Sequence, residues 1–570
     1  MQRAGAPARG HVKEPLRARA LSKRACSRAV VRRERAAVVA AAAAADTVIE
    51  TDVVVIGSGI GGLSCGALLA KYGKDVIVCE SHDVPGGAAH AWVHPKGYHF
   101  EAGPSLYSGM AARGPEANPL AHVFQAIGEP LELIRYKTWN VMVPEGDFLT
   151  EVGAYQFLDV LTKIRGKAAA DEWAALQEAM KPLAKASALL PPAALRGDLG
   201  ATVTALGRYF PKLLTGGADA AKLTGSFKSA VESTRTISDP FILNWLDLLS
   251  FLLSGLPADG TIAAEVAFMF NEWYRPDCAL EFPKGGSGGM VAALVRGLER
   301  HGGELMLKAH VDEILLDEAS GRACGVRLRD GREVRARQAV VSNATRWDTL
   351  GLLPEGTVPA DVRGRAAKEA EKLPEINSFM HLHVGFDATG LDDLEMHHIV
   401  VNTWDGGVDT EQNVVLLCIA SVADPSLAPE GKHVLHAYTP ATEPYSLWEG
   451  LERGSPEYKR LKEERSRVLW EAAERVIPDI RERADVALVG TPLTHERFLR
   501  RHKGSYGPGV VAGKGQLIPG AKTPVPGLYA CGDTAFPGIG LPAVAASGMI
   551  AANTLVSVGE HWAMLDEIGV

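Results

Sequence analysis

The stretch Asp52–Glu80, DVVVIGSGIGGLSCGALLAKYGKDVIVCE, constrains this chain more than any other. Val53 to Ile56 predict a short buried strand, and Gly57-Ser-Gly59-Ile-Gly61-Gly62 a turn. Leu63 to Tyr72 predict a small-residue helix ended by Gly73, and Asp75–Cys79 a second apolar strand with Glu80 at its tip. Gly57 permits the tight turn, Gly59 lets a pyrophosphate approach the backbone, and Gly62 lets helix and strand pack closely. The helix N-terminus offers unpaired N–H groups and partial positive charge to phosphates. Glu80 accepts hydrogen bonds from a ribose diol and repels a 2′-phosphate. A lone GxGxxG is weak, but a strand before it, a helix after it and an acid about twenty residues on make a dinucleotide site.

The segment before this unit differs in character. Residues 1–45 hold eleven Lys or Arg against Glu14 and Glu34, and end in the run Ala36–Ala45. Such an acid-poor, Arg- and Ala-rich leader predicts an organelle transit peptide, the other reading being a retained basic tail. The whole chain carries a formal −8; residues 46–570, with 49 basic and 66 acidic side chains, carry −17. An acidic body argues against a nucleic-acid partner. The seven cysteines, Cys26, Cys65, Cys79, Cys278, Cys324, Cys418 and Cys531, form no CxxC pair and predict neither disulfides nor a metal centre. No apolar run reaches the roughly 18–20 residues of a membrane-spanning helix. The nearest is Phe241–Leu256, interrupted by Asn244 and Asp247, which reads as a buried helix, a tunnel wall or an interfacial apolar surface.

Along the chain, Gly86-Gly87 close a loop able to lie along a bound nucleotide, and Gly97–Ser105 predict a strand into a Gly-Pro turn. These pieces suit the extended FAD better than a nicotinamide cofactor. Residues 115–275 read mostly as helices, and Ala263–Trp273 as core packing or a wall for a long apolar substrate. Glu281–Leu294 restore a glycine loop entering a helix, and Gly303–Val341 alternate as strands around Asp330-Gly331. Val311, in AHVDEI, joins the candidate cofactor contacts. His381 and His383 share a face of the strand Ser378–Gly385, with His397-His398 close by; with no Asp, Glu or Cys at ligand-like spacing they predict packing and no metal. Near the C-terminus, Gly532-Asp533 end a strand with an acid placed for a ribityl chain. Gly540, Pro542, Ala543 and Val544 open a small-residue helix whose N-terminus suits the pyrimidine end of a flavin.

IGSGIGGL…CESHDVPGG, FPKGGSGGMVAAL and GTPLTHERF…GSYGP…CGDTAFPGIG together resemble the carotenoid isomerase and phytoene desaturase flavoproteins, over nearly all of residues 50–560. The resemblance implies FAD, an apolar polyene or carotenoid substrate and a plastid setting; a polyene drawn from a bilayer, together with the apolar Phe241–Leu256, predicts a peripheral membrane surface. It implies an α/β fold, with a Rossmann-type FAD domain of the glutathione-reductase and amine-oxidase kind and an interleaved substrate domain of mixed sheet and helices. The expected division is FAD domain at 46–114, 276–350 and 490–570, a mainly helical substrate or membrane-facing domain at 115–275, and further substrate domain at 351–489. No side-chain nucleophile motif is present, so the chemistry is expected to be the flavin's, flanked by His495, Arg497, Arg500 and Tyr506 or with those residues structural. The leading expectation is redox-neutral cis–trans isomerisation. A desaturase or saturase, and a non-catalytic lipid escort on the same fold, are the alternatives. AAHAWVHPKGYHF and LPAVAASG depart from the family pattern and leave the substrate open.

Overall fold

The structure is a computed structural model describing residues 48–103 and 106–570; the basic leader with Cys26, and Pro104 and Ser105 of the expected Gly-Pro turn, lie outside the described residues. Two seven-stranded sheets carry it. The first is centred on β1 (Val48–Ile56), whose Val53, Val54 and Val55 are completely buried. An apolar run without alternation belongs to a parallel strand covered on both faces, and β1 pairs in parallel with both β2 (Val76–Cys79) and Glu333–Ser342. Strand Leu528–Ala530 adds to the far side of Glu333–Ser342, also in parallel. Three separate stretches of chain therefore build one sheet. The hairpin Ala323–Leu328 and Glu333–Ser342 turns at Gly331, φ +92°.

The registers have a consequence for function. Ile56 is level with Cys79 and with Ser342, and Ser342 with Ala530. Four parallel strands end in one row, so Gly57, Glu80, Asn343 and Gly532 gather at the sheet's carboxyl edge, where open α/β sheets bind ligands. Helix α1 (Ile60–Lys71) begins three residues before Leu63, which puts Gly61 and Gly62 in its first turn. A Cβ on Gly66 would lie 2.8 Å from Val78, and one on Gly548 would lie 2.3 Å from the Gly61 carbonyl. Those two glycines let α1 lie tightly between the sheet and the helix Leu541–Thr554, which is why both helices are rich in small residues.

The second sheet runs in the order Ala484–Gly490, Ser378–Asp387, Lys432–Glu443, Val414–Cys418, His397–Val401, Thr138–Val143, Gly146–Glu151. Its last two strands, and Leu133–Tyr136, come from the stretch expected to be mostly helical. TWNVMV is rich in β-formers, and the Pro144–Gly146 turn folds it back as a hairpin. Helices Gln156–Arg165, Lys167–Ser187, Phe227–Thr234, Pro240–Ser254 and Ala263–Trp273 pack around an aromatic core containing Trp139, Trp173, Trp245 and Phe270. Phe241–Leu256 is not an apolar surface. Pro240–Ser254 is a helix capped by Asp239, with Phe241, Ile242, Trp245 and Leu248 buried in that core. Ala263–Trp273 packs there too, with Val266, Phe270 and Trp273 buried.

Candidate active site

At the row of strand ends, α1 has an unusual N-terminus. Its N-cap is Gly59, no side chain caps it, its first turn holds no acid, and Ile60, Gly61 and Gly62 are buried. A buried helix end without partners needs an acceptor from elsewhere. The glycines that would face that acceptor are sterically required. A Cβ on Gly62 would sit 2.1 Å from the Gly57 carbonyl, and one on Gly61 2.9 Å from the Gly532 nitrogen. Asn343 lies beneath both loops; Cβ atoms on Gly59 and Gly61 would each come 2.7 Å from its amide. Gly86 bridges back to Gly59, and a Cβ on Gly87 would be 3.0 Å from the Gly59 Cα, so the second loop rests on the first. Glu80 is fixed at the strand tip. Its Oε2 accepts from the Ser58 N–H (2.9 Å) and hydroxyl (2.6 Å), and its Oε1 from the His82 N–H (2.8 Å). Val311 is buried two residues beyond Ala309, whose N–H donates to the Glu80 carbonyl.

The helix Leu541–Thr554 presents a second uncapped N-terminus. Gly540 has φ +93°, and Pro542, Ala543 and Val544 are half-buried before burial becomes complete at Ala545. Both ends of an extended acceptor would thus meet helix N-termini. Asp533 is engaged by the Arg501 guanidinium, which also donates to the Ser505 and Tyr506 carbonyls.

The second sheet supplies the opposite wall. His383 is directly opposite His436, and His381 opposite Tyr438, so strand alternation puts all four on one face. Their rings stack, with centroids 4.5 Å apart for His383–His436 and 4.9 Å for His381–His436. His495, from the helix Pro492–Leu499, adds its ring 4.5 Å from His381. Trp92 meets His383 edge-on at 5.0 Å and His90 at 5.5 Å, and His90 Nδ1 lies 2.8 Å from the Gly87 carbonyl. At the other end Phe379 meets Tyr506 at 5.1 Å. A wall of imidazole and aromatic rings therefore runs from the Gly86-Gly87 loop to the Arg501–Asp533 pair. Burial pushes the His436 and His495 imidazoles down to about 3, and His381 and His383 well below their usual value. All four are neutral at physiological pH. Burial likewise pushes the Tyr506 phenol up to about 12.

Two expected flanking residues stand elsewhere. Arg497 is exposed over the Phe498 ring, and Arg500 is an exposed, left-handed helix C-cap at φ +49°. The helix ends at Leu499, and Arg501, just beyond its C-cap, is the arginine that reaches Asp533. His397 and His398 are also separate, His397 stacking on Tyr136 and His398 Nε2 lying 2.9 Å from the Glu395 carbonyl. Sequence reasoning did not single out Asn343, Arg501, His90 or His436. Asn343 had a signal, as the polar residue leaving the apolar strand AVVS; His436 had none, because its partners are 53 and 55 residues away in the chain.

The family model of flavin containing amine oxidoreductases matches residues 60–556, and the chain belongs to that family. Its cofactor is FAD, and the uncapped, glycine-lined cradle fits a dinucleotide. Within the family it sits with the carotenoid isomerase and desaturase flavoproteins. It is 32% identical over 531 residues to the chloroplastic prolycopene isomerase of Arabidopsis thaliana, covering 89% of this chain and 82% of that one. Identity to the lycopene-forming phytoene desaturase of Pseudescherichia vulneris is 26% over 518 residues, covering 88% and 98%. Among solved structures, putrescine oxidase bound to putrescine shares the fold at TM-score 0.56 and 15% identity, covering 89% of this chain and 98% of that one.

Proposed function

We propose that this protein is an FAD-dependent isomerase that changes double-bond geometry in an apolar polyene of the carotenoid kind without net redox change. The observation that carries the reading is the near full-length similarity to prolycopene isomerases, joined to the uncapped dinucleotide cradle at α1. The cradle residues read as the cofactor's holders: Gly57, Gly59, Gly61 and Gly62 with α1 at the pyrophosphate, Glu80 and Val311 at the adenosine end, and Gly86-Gly87 along the dinucleotide. Gly532-Asp533 would stand at the ribityl chain, and Gly540, Pro542, Ala543 and Val544 at the pyrimidine ring. When bound, the flavin supplies reversible electron donation to a conjugated chain. The protein's own part is orientation and exclusion of water. Phe379 and Tyr506 make an uncharged aromatic part of that wall, against which a polyene can lie without desolvating an ion.

One experiment decides between isomerisation and the desaturase or saturase reading. Chemically reduced enzyme is incubated anaerobically with a poly-cis carotenoid, and the product is analysed by chromatography and mass spectrometry. The expected product elutes differently at unchanged mass. A shift of two hydrogens overturns isomerisation.

The chloroplastic relatives support a plastid setting. Peripheral attachment to a membrane is favoured by an exposed apolar stripe along the helical run Gly200–Lys222 and its N-cap Leu199: Leu199, Val203, Leu206, Phe210 and Leu214, the first 87% and the last 68% exposed. Among the described residues no helix is long and apolar enough to cross a membrane. Alkaline carbonate should release the protein from plastid membranes, and Leu206→Glu with Leu214→Glu should move it to the soluble fraction. Retention after the wash, or membrane binding unchanged by the two substitutions, refutes this surface.

A further inference from the structure

We infer that His381, His383 and His436 form a binding site for one divalent first-row transition-metal ion, of the zinc or iron(II) kind, on the wall opposite the dinucleotide cradle. The three rings are buried, and one ligand-capable nitrogen from each lies within 4.8 Å of the others. They come from neighbouring strands of one rigid sheet, His383 and His436 in direct register, so backbone pairing rather than a loop holds them together. His381 Nδ1 and His436 Nε2 are 2.6 Å apart and partner each other in a hydrogen bond, which fixes the two rings side by side.

Each ring also keeps a buried nitrogen with no partner: His381 Nε2, His383 Nδ1 and His436 Nδ1. Buried polar atoms are ordinarily satisfied, and three orphans in one cluster mark a place built for something more than packing. An all-imidazole set with no carboxylate selects zinc, iron, copper or nickel over magnesium or calcium. Three protein ligands leave a position open, as in sites that bind water or substrate. His495, with its Nε2 also unpartnered, has its ring 4.5 Å from that of His381. The expectation of packed histidines without a metal rested on the lack of an Asp, Glu or Cys at ligand-like spacing; His436 brings a third imidazole instead.

The test uses tag-free holoenzyme prepared without chelators, with metals measured by plasma mass spectrometry and FAD by absorbance. About one ion per FAD is expected. After stripping with a chelator, zinc(II) should raise the melting temperature of the native protein. His383→Ala and His436→Ala should weaken metal binding at least tenfold while retaining FAD. Holoenzyme that carries no stoichiometric ion and shows no stabilisation by zinc(II) or iron(II) overturns the site. So does full metal binding by the FAD-loaded variants. Should the variants fail to hold FAD, the native protein's ion content and zinc response decide alone.

Discussion

Two of the glycine-rich loops that open helices in this molecule differ in what meets the helix end. At Gly57–Gly62 the first turn of α1 is buried and no side chain caps it. At Gly285–Gly289 the chain itself supplies the acceptors: Glu101 Oε1 accepts from the Ser287 N–H, and Asp424 Oδ2 from the Gly285 N–H at 2.7 Å. Both loops have the crowding that demands glycine, with Cβ positions 2.1 Å from the Gly57 carbonyl at Gly62 and 2.3 Å from the Lys284 carbonyl at Gly289. Glycine spacing reports a tight strand-to-helix turn. Whether the turn binds a phosphate depends on whether the protein has already placed a carboxylate there, since anion and carboxylate compete for the same N–H groups.

The largest effect should come from adding one methyl group to each loop. Gly62→Ala forces its Cβ into the backbone oxygen of Gly57 and must move the α1 N-terminus away from the cradle. FAD retention should fall roughly a hundredfold or more, equivalent to about 2.7 kcal/mol. Gly286→Ala meets the Glu101 carboxylate at 2.3 Å from a backbone at φ +63°, and should lower thermal stability while leaving the protein yellow. Flavin absorbance and circular dichroism on both variants make the check. Equal loss of flavin from two folded variants would mean that the loops do not differ in function.

The first loop was legible in the sequence, because strand, turn, helix and Glu80 are contiguous and each local preference agrees with the fold. The second loop could be seen but not interpreted, since Glu101 and Asp424 stand 186 and 139 residues from the groups they bind. The same separation hid His436 from His381 and Arg501 from Asp533. It also hid how two apolar stretches differ. Phe241–Leu256 and the stripe from Leu199 to Leu214 both carry large hydrophobics, yet only the packing of the other helices decides which is covered. Local chemistry named the cofactor end, while the wall facing it is a product of sheet register.

The smallest effect concerns the carboxylate that fills the second loop. Burial raises Glu101 to about 7, although Ser287 donates to it. A carboxyl whose folded value lies above its unfolded value of 4.5 favours the fold fully below that value, and this contribution is lost as pH rises through about 7. Between those limits the wild type should lose about 1–3 kcal/mol from this group. Glu101→Gln keeps an oxygen for the Ser287 N–H but cannot ionise. The variant should match the wild type near pH 5, gain on it steadily toward pH 8, and hold FAD equally at both. Melting temperatures of the two proteins across that range measure the difference. A gap that shrinks as pH rises would mean that Glu101 is stabilised as an anion at the helix end, and that the two loops are electrostatically alike.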